Sequence, residues 1–369
     1  MIIFATLFYI IKKIAKGIDV NMQKRLNRDV DFTNFLKVIR REGKPDYLPF
    51  YEHIASPKFI SERTETDFYK MEPGSLEYIK TYVDFWLGMG FDCVPMEQPL
   101  KLPLGKGERK EDAKSHGSEA MVVIKNREDY ECYPWPDEDD PMDFSFFEKV
   151  AKIIPEGIKI VGGVCMGPYE WASQMMGTIG MSYLLEDDPE LVDMVFKRIC
   201  RLHISANKIL ATMDGVGAHR QGDDLGFNSS TFLPPALLRK WVFPTYKEIS
   251  KIAHLAGRPF ILHSCGNLSD VYEDIIDCGI DAKHSFEDKI LPVDEFKKMY
   301  GKRITPLGGL DVDFICRRSK DEIRKYTIKY IEKCFYDGFW TLGTGNSLPD
   351  YMPVENYITV LETGLEVIG

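Results

Sequence analysis

The sequence predicts an α/β protein that folds as a single (β/α)8 barrel, or TIM barrel, with an insertion between its second and third βα units. Short apolar runs alternate with longer helical patterns along the chain, which is typical of parallel strands joined by helices. We count eight such units, the number that closes a barrel. No Gly-x-Gly-x-x-Gly turn follows the first run, whereas an open doubly wound sheet usually has a Gly-rich first turn.

Each strand is predicted from a short apolar run. In chain order, the eight runs are Tyr47–His53, Phe91–Glu97, Ile158–Cys165, Val216–Asp224, Pro259–Cys265, Asp281–Glu287, Arg303–Asp311 and Phe339–Gly345. The longer patterns between them predict helices over Ser75–Gly88, Pro189–Met213 and Pro235–Ala256, a helix in GPYEWASQMMG after the third run, and a last helix over Pro353–Ile368.

Composition narrows the function classes. The 369 residues are 44% hydrophobic and 28% charged, as expected for a globular protein with a sizeable core. A net charge of −10 argues against a general nucleic-acid-binding role, because such proteins present a basic face. The eight cysteines are scattered without a Cys-x-x-Cys pair, which favours reduced thiols in a cytoplasmic protein.

The N-terminal segment is interpreted separately from the rest of the chain. Residues 1–24 are predicted to be an N-terminal extension, and residues 25–369 the barrel domain. The apolar run Ile2–Ile11 has positive charges after it rather than before it, and ten helical residues rise about 15 Å, half of a roughly 30 Å hydrocarbon core. We therefore expect no stable membrane insertion. The alternatives are a short docking helix or an upstream extension with Met22 as the working start.

Residues 98–142 are too long for a simple crossover between the second and third units. They contain a basic stretch, LGKGERKEDAKSHG, then the strand-like piece MVVI and the segment YECYPWPDEDDP. We interpret this segment as a loop or hairpin inserted on one face of the barrel. It is either a lid or partner surface, or a solvated insertion without a role.

Polar residues occur at the end of every predicted strand. They are Glu52, His53, Glu97, Cys165, Asp223, Asp224, His263, Ser264, Cys265, His284, Glu287, Asp311, Thr344 and Asn346. Strands covered by helices should be apolar throughout, and barrel chemistry takes place where the C-terminal strand ends meet. The pattern therefore predicts a shared polar pocket at the barrel mouth.

His263 and Cys265 are the sharpest candidates within this pocket. Side chains at i and i+2 of a strand lie on the same face, so the imidazole and the thiol should both face the mouth. Both are zinc ligands, and a catalytic zinc takes about three protein ligands and keeps an open position. The sequence therefore predicts a metal site, with a buried Cys beside a hydrogen-bonded His as the alternative.

Three carboxylates are candidate catalytic residues. Asp223 and Asp224 are adjacent at one strand end, where mutual repulsion is expected to raise the pKa of one of them and make it a proton donor. The alternative is that only Asp223 faces the barrel and that Asp224 caps the next turn. Glu287 is expected to orient the His263 ring or to bind the metal directly.

A second group of residues is predicted to bind the substrate. Tyr51, His53 and Tyr169 are expected to line the pocket, with packing as the alternative role for the aromatic rings. Asp311 and Asn346 follow the seventh and eighth strands and belong to the same pocket.

Several spaced motifs carry a resemblance to a known family. They are GDDLGF with PPALLRKWVFPTYKEI, then ILHSCGNLSD, PLGGLDVDFICRRSKDEIRKYTIKYIEKC and LGTGNSLPDYMPVENY, with a weaker upstream match at GPYEWA. From about Asp223 to Glu366 the chain resembles the uroporphyrinogen decarboxylase superfamily. It is most similar to the methyltransferase branch, the methylcobamide:coenzyme M methyltransferases and related corrinoid-dependent enzymes. This resemblance implies a (β/α)8 barrel, in agreement with the count of eight units.

The sequence departs from the decarboxylase pattern at three places, which argues against porphyrinogen decarboxylation. Its Arg-rich motif of the form RQAGR is absent, since the corresponding stretch is REGKPDYLPFYEH. The family's Asp after the second strand is not evident, because FDCVPMEQP offers Glu97 instead. The decarboxylases carry a His in the turn after the eighth strand, where this chain has Thr344.

The methyltransferase pattern implies a zinc site with one departure. The family's His-x-Cys pair corresponds to His263 and Cys265, but its third ligand, a distant Cys, corresponds to Thr344. The third ligand is then expected from a neighbouring strand end, with four candidates: Glu287, Cys165, Asp223 and Asp224.

The resemblance implies an enzyme, a metal-dependent methyltransferase that moves a methyl group between a corrinoid, such as methylcobalamin, and a small acceptor. A separate corrinoid protein is the implied partner, and a homo-oligomer is an open possibility. Two alternatives remain. One is a decarboxylase of uroporphyrinogen or another acidic substrate, with Arg220 contacting a carboxylate. The other is a non-catalytic barrel that binds a corrinoid or another tetrapyrrole.

Overall fold

The computed structural model describes residue 26, residues 28–105, residue 119 and residues 121–368. Six strands form one parallel sheet in which each strand pairs with the next along the chain. They are β1 (Cys93–Pro99), β2 (Lys159–Cys165), β3 (Val216–Gly222), β4 (Phe260–His263), β5 (Ala282–His284) and β6 (Thr305–Pro306). A sheet ordered in this way, with helices between its strands, is the arrangement of a βα barrel.

Two short segments extend this sheet to eight members. Leu307, just beyond β6, forms a parallel bridge with Thr341. The neighbouring residue Leu342 forms a parallel bridge with Phe50, in the first apolar run of the sequence. The first and last segments are thereby joined, and the predicted (β/α)8 barrel is confirmed.

The lower half of the barrel interior is filled with apolar side chains. One buried cluster takes a residue from almost every strand or segment and adds three from an N-terminal helix: Tyr51, Cys93, Val161, Ala218, Ile261, Ala282, Leu307, Phe32, Phe35 and Ile39. Alternate residues of a barrel strand point inward, so this layer also fixes which residues face the mouth above it. Two positions beyond Ile261 is His263, and two beyond Ala282 is His284.

The helix Phe32–Arg40 closes the bottom of the barrel. Asp31 caps its N-terminus by accepting from the Thr33 N–H, which satisfies a backbone donor that the helix itself leaves free. At the other end, the Arg41 guanidinium donates to the Asp281 carbonyl at 2.9 Å. This plug makes the opposite end of the barrel the open one.

The remaining helices surround the sheet. They are Pro57–Thr64, Leu76–Gly88, Arg127–Cys132, Ser145–Ala151, Pro168–Met176, Thr178–Asp187, Pro189–Leu210, Pro235–Trp241, Phe243–Leu255, Tyr272–Asp277, Val293–Tyr300, Val312–Arg317, Lys320–Cys334 and Val354–Ile368. The prediction of one helix over Pro235–Ala256 is wrong: it divides at Val242, because Pro244 lacks an N–H and favours the first turn of a new helix.

The predicted insertion between the second and third units is present. An antiparallel bridge between Leu100 and Met142 closes its base, and the helix Arg127–Cys132 lies within it. The strand expected at MVVI is wrong: residues 121–124 form no strand, and the N–H groups of Val123 and Ile124 both donate to the Met175 carbonyl. Most of the basic stretch lies outside the described residues.

The N-terminal extension also lies outside the described residues, so its interpretation stays a prediction. Within the part of the chain that the structure describes, no helix has both the length and the apolar character needed to cross a membrane.

Candidate metal centre

The predicted pair His263 and Cys265 is brought together at the barrel mouth. The Cys265 Sγ lies 3.5 Å from the His263 Nε2. The chain turns directly after this pair at Gly266, where φ is +82° and an added Cβ would lie 2.1 Å from the Gly226 carbonyl carbon. Glycine meets both demands, since it tolerates a positive φ and lets the two loops touch.

Asp224 supplies a third donor atom. Its Oδ1 accepts from the Cys265 backbone N–H at 2.9 Å and lies 3.9 Å from the His263 Nε2. One ligand atom from each of the three side chains lies within 4.8 Å of the others. Of the four candidates for the third ligand, Asp224 is therefore the one that the structure places with His263 and Cys265.

The donor set fits a zinc ion. Imidazole nitrogen, thiolate sulfur and carboxylate oxygen are its three protein ligand types, and three of them leave a coordination position open. Burial and the neighbouring His284 hold the pKa of His263 well below its usual value, so the ring is neutral and able to bind a metal. Burial and the Asp224 carboxylate raise the pKa of Cys265 to about 12. This thiol therefore needs a cation beside it to ionise near neutral pH.

A second imidazole lies directly behind the His263 ring. The Nδ1 atoms of His263 and His284 are 2.8 Å apart, and the His284 Nε2 lies 3.0 Å from the Thr344 carbonyl oxygen. His53 stacks on the other side of His263, with ring centroids 3.7 Å apart. His53, His263 and His284 form a second group of closely spaced donor atoms, fully inside the barrel.

Polar groups surround the Cys265 sulfur. The Asn346 side-chain amide donates to Sγ at 3.4 Å, and the Ser285 hydroxyl lies 3.5 Å from it. The predicted pocket residue Asn346 is thus in the site. Behind this loop, the buried Lys283 ammonium donates to the Ser264 carbonyl at 3.3 Å and also to the Ser285 carbonyl. The two loops that carry the thiol and its neighbour are held together by one cation.

One alternative is that Asp223 faces the barrel while Asp224 caps the next turn. The structure shows the opposite arrangement. Asp223 is fully buried and accepts from the backbone N–H groups of Tyr169 and Glu170, at 3.1 and 2.9 Å, and from the Tyr246 hydroxyl at 2.8 Å. Its carboxylate therefore anchors helices, while Asp224 faces the ligand pair. Burial raises the pKa of Asp223 to about 7.

Glu287 borders the site without joining the group of three. Its Oε1 accepts from the Gly266 N–H at 3.1 Å, which stabilises the turn after Cys265. It also lines a cavity of about 430 Å³ together with Asp311 and Asn346. This cavity adjoins the sulfur through Asn346 and provides room for a small molecule beside the centre.

Arg220, expected to contact a substrate carboxylate, lies in the barrel interior, and that role stays a prediction. The guanidinium is fully buried inside the barrel, where it donates to the Glu97 carboxylate at 2.9 Å and to the His53 carbonyl. Sequence reasoning placed Glu97 at a strand end but had no signal that it lies opposite this arginine. Both groups stabilise the interior beneath the site.

The remaining predicted pocket residues lie below or beside the centre. Tyr51 is buried in the apolar layer and meets the His284 ring edge-on, with centroids 5.4 Å apart. Tyr169 is buried and stacks on Phe232 at 5.6 Å. Asp311 caps the helix Val312–Arg317 by accepting from the Phe314 N–H at 2.6 Å. Tyr51 and Tyr169 therefore pack, and Asp311 combines a structural role with its place in the cavity wall.

Thr344, the position of the family's third Cys, has a different role. Its hydroxyl and its N–H both donate to the buried Glu52 carboxyl, each at 2.6 Å, and the Tyr357 hydroxyl donates to the same group at 2.9 Å. Burial raises the pKa of Glu52 to about 7. The side chain at position 344 is thus engaged with Glu52, and the carboxylate that lies beside His263 and Cys265 is that of Asp224.

The fold and the ligands at its mouth define a (β/α)8 barrel with a candidate metal centre at the C-terminal ends of its strands. The chain belongs to the uroporphyrinogen decarboxylase family, because the family model described as Uroporphyrinogen decarboxylase (URO-D) matches residues 113–366, more than half of its length. The resemblance found in the sequence motifs is thereby confirmed. No curated protein matches the sequence.

Comparison with solved structures supports the same fold. A methyltransferase from Methanosarcina mazei is similar over 92% of this chain and 99% of its own, with a TM-score of 0.65 and 15% identity. A xylose isomerase-like TIM barrel protein from Mycobacterium smegmatis, solved with magnesium, covers 87% of this chain and 98% of its own at 13% identity, but its TM-score of 0.37 gives it no weight. At 15% identity, the first likeness establishes the shared fold alone.

Proposed function

We propose that this protein is a metal-dependent methyltransferase that moves a methyl group between a corrinoid and a small acceptor. The observation that carries the proposal is the group formed by His263, Cys265 and Asp224 at the barrel mouth. Membership in the uroporphyrinogen decarboxylase family supports it, as does the shared fold with a methyltransferase from Methanosarcina mazei.

His263, Cys265 and Asp224 would hold a zinc ion. When bound, the ion supplies a Lewis acid that favours the deprotonated form of an acceptor or polarises a leaving group. The Cys265 N–H orients the Asp224 carboxylate. The Asn346 amide donates to the sulfur, and the Ser285 hydroxyl lies within hydrogen-bond distance of it. A carboxylate in place of the family's third thiolate makes the centre harder and favours an acceptor with an oxygen or nitrogen donor.

The mouth also suits a large, flat methyl carrier. Phe227 and Phe232 are 56% and 46% exposed on the loop after β3, and Phe232 stacks on Tyr169. The Phe227 carbonyl accepts from the Asn267 N–H, two residues beyond Cys265, so this aromatic surface borders the ligand pair. The corrinoid and a separate corrinoid protein are proposed from the family resemblance.

Decarboxylation of an acidic substrate is less well supported. The arginine proposed to hold a substrate carboxylate, Arg220, is enclosed and paired with Glu97. The absence of the Arg-rich motif from the sequence argues in the same direction.

Metal analysis of the purified protein tests the proposal first. After loading with zinc and desalting, we expect about one zinc per chain in the wild type and loss of that zinc in His263→Ala and Cys265→Ala. Cys132→Ala is the matched control, because Cys132 is an exposed cysteine in the insertion. Wild-type protein without zinc, or variants that keep it, would overturn the metal centre.

Methyl transfer is then measured by the absorbance change of methylcobalamin on demethylation with small thiol, alcohol and amine acceptors. Zinc-dependent turnover that is lost in His263→Ala supports the methyltransferase. Binding of the corrinoid without turnover by any acceptor would favour a binding protein instead.

A further inference from the structure

The His263 ring can bind a metal through Nε2 only if its proton is on Nδ1. Neutral imidazole carries one proton, and the hydrogen bond made by one nitrogen determines which nitrogen is free. His263 Nε2 faces Cys265 and Asp224, whereas His263 Nδ1 faces His284. The position of one proton between the two rings therefore decides whether the group of three is a competent ligand set.

The Thr344 carbonyl fixes the state of the second ring. A carbonyl oxygen only accepts hydrogen bonds, so the His284 Nε2, 3.0 Å away, must carry a proton. A second proton on His284 would create a buried cation. His284 has no carboxylate partner among the described residues, and its ring contacts His263, His53 and Tyr51. The charged groups that act on it, Lys283 and Arg220, are both cations. An unpaired buried cation is costly, which leaves a lone pair on the His284 Nδ1.

The proton between the rings then belongs to His263. We propose that His284 is a positioning residue: anchored by the Thr344 carbonyl, it accepts a proton from the His263 Nδ1 and thereby presents the His263 Nε2 lone pair to the metal. This inference rests on the proposed metal centre. It explains why the His263 ring keeps one orientation and the tautomer with its proton on Nδ1.

Packing holds the same orientation. His53 stacks on the His263 ring at an interplanar angle of 12°, and Tyr51 meets the edge of His284. Tilting either ring out of its plane would lose these contacts, and flipping it would lose the hydrogen bonds. His53 and His284 thus support the His263 ring by stacking and by a hydrogen bond. The His263 Nε2 faces away from His284, toward Cys265 and Asp224.

The tautomer is measured directly, without metal, by NMR of zinc-free protein labelled with ¹⁵N-histidine. The protein has seven histidines, and the His263 signals are those absent from His263→Ala. We expect a protonated Nδ1 and a lone pair on Nε2 for His263. A proton on the His263 Nε2 would overturn the proposal, whatever the protein's activity.

Two substitutions at position 284 separate positioning from packing. In His284→Asn the amide reaches the place of Nδ1, where its oxygen can accept from His263. In His284→Gln the amide reaches the place of Nε2, so it can donate to Thr344 but leaves His263 without an acceptor. We expect the zinc Kd to rise about 10- to 100-fold in His284→Gln and to stay within about threefold of wild type in His284→Asn.

Thermal unfolding of the zinc-free proteins checks that both variants fold. Equal zinc affinities for the two variants would contradict the role of His284 while leaving the metal centre intact. A wild type that binds no zinc would instead contradict the proposed function. In that case the NMR measurement still shows whether His263 donates its Nδ1 proton to His284.

Discussion

At the scale of single residues, Thr344 has a structural role in place of the cysteine that the methyltransferase resemblance implies at this position. Thr344 joins the end of the last barrel segment to Glu52 in the first, through its hydroxyl and its N–H. A cysteine there would make a weaker hydrogen bond to the carboxyl. The residue therefore stabilises the barrel wall, and its carbonyl still supports His284.

We expect Thr344→Val to lower the free energy of unfolding by about 1–3 kcal/mol, because a buried Glu52 oxygen loses its hydroxyl partner. Urea denaturation at pH 7 measures this change. Thr363→Val is the control: its buried hydroxyl bonds only within its own helix, to the Thr359 carbonyl, and should cost less. Similar losses in the two variants would contradict the specific role of the Thr344–Glu52 contact.

At the scale of elements, the loop after β3 divides two tasks between neighbouring carboxylates. The strand ends at Gly222, so strict alternation no longer governs the next two residues. Asp223 points back to the helix Pro168–Met176 and accepts from its first N–H groups, where a helix lacks internal partners. Asp224 points to the ligand pair. The adjacent residues Asp223 and Asp224 thus link the helix Pro168–Met176 to the candidate metal centre.

The two aspartates are expected to give opposite results when each is replaced by alanine. Asp223→Ala should lower the free energy of unfolding by about 2–4 kcal/mol, since buried donors of Tyr169, Glu170 and Tyr246 lose their acceptor. Asp224→Ala should change stability by less than about 1 kcal/mol, because this side chain is 43% exposed, but should weaken zinc binding. Urea denaturation and zinc titration of both variants check this. A structural loss in Asp224→Ala with unchanged zinc affinity would remove Asp224 from the ligand set.

At the scale of the whole molecule, burial of neutral histidines ties stability to pH. Five of the seven histidines have a lowered pKa, mainly because they are buried: His53, His203, His219, His263 and His284. In the unfolded chain a histidine takes up a proton near pH 6.5, whereas folded His219 does so only near its pKa of about 3. Between these values the unfolded state binds more protons, so falling pH destabilises the fold.

The carboxyls with raised pKa values act in the opposite direction. Burial raises the pKa of Glu52 from its ordinary value of 4.5 to about 7, so between those values the folded state binds the extra proton and gains stability as the pH falls. A comparison of two variants is therefore more informative than the pH profile of the wild type alone.

His219→Asn isolates one histidine, since the asparagine amide can keep the hydrogen bond to the Asn207 oxygen, 2.8 Å away in the wild type. Between pH 6 and pH 4, the free energy of unfolding of the wild type should fall more steeply than that of the variant. The expected difference is about 1.4 kcal/mol per pH unit. Urea denaturation across this range measures both slopes, and parallel slopes would show that His219 is protonated in the folded protein.

The sequence carried enough information for the barrel and for the ligand pair. Strand alternation alone placed His263 and Cys265 on one face, and the structure brings them together. Sequence reasoning did not assign His284 a role, although the same alternation from Ala282 points its side chain inward. The contact between His263 and His284 depends on the register of two neighbouring strands, which the sequence does not give. The pairing of Arg220 with Glu97 was not predicted for a related reason, since the two residues are 123 positions apart in the chain.

The junction between the first and last barrel segments also determines when the site can fold during synthesis of the chain. Glu52 and Thr344 are 292 residues apart, and the support of His263 ends at the Thr344 carbonyl. While the chain emerges from the ribosome, the His263–Cys265 loop is present long before residue 344 has been synthesised. Contacts this distant in sequence form late, because closing so long a loop is entropically costly. The emerging chain can offer the side chains of His263 and Cys265, but His284 gains its Thr344 contact only once the last barrel segment is complete.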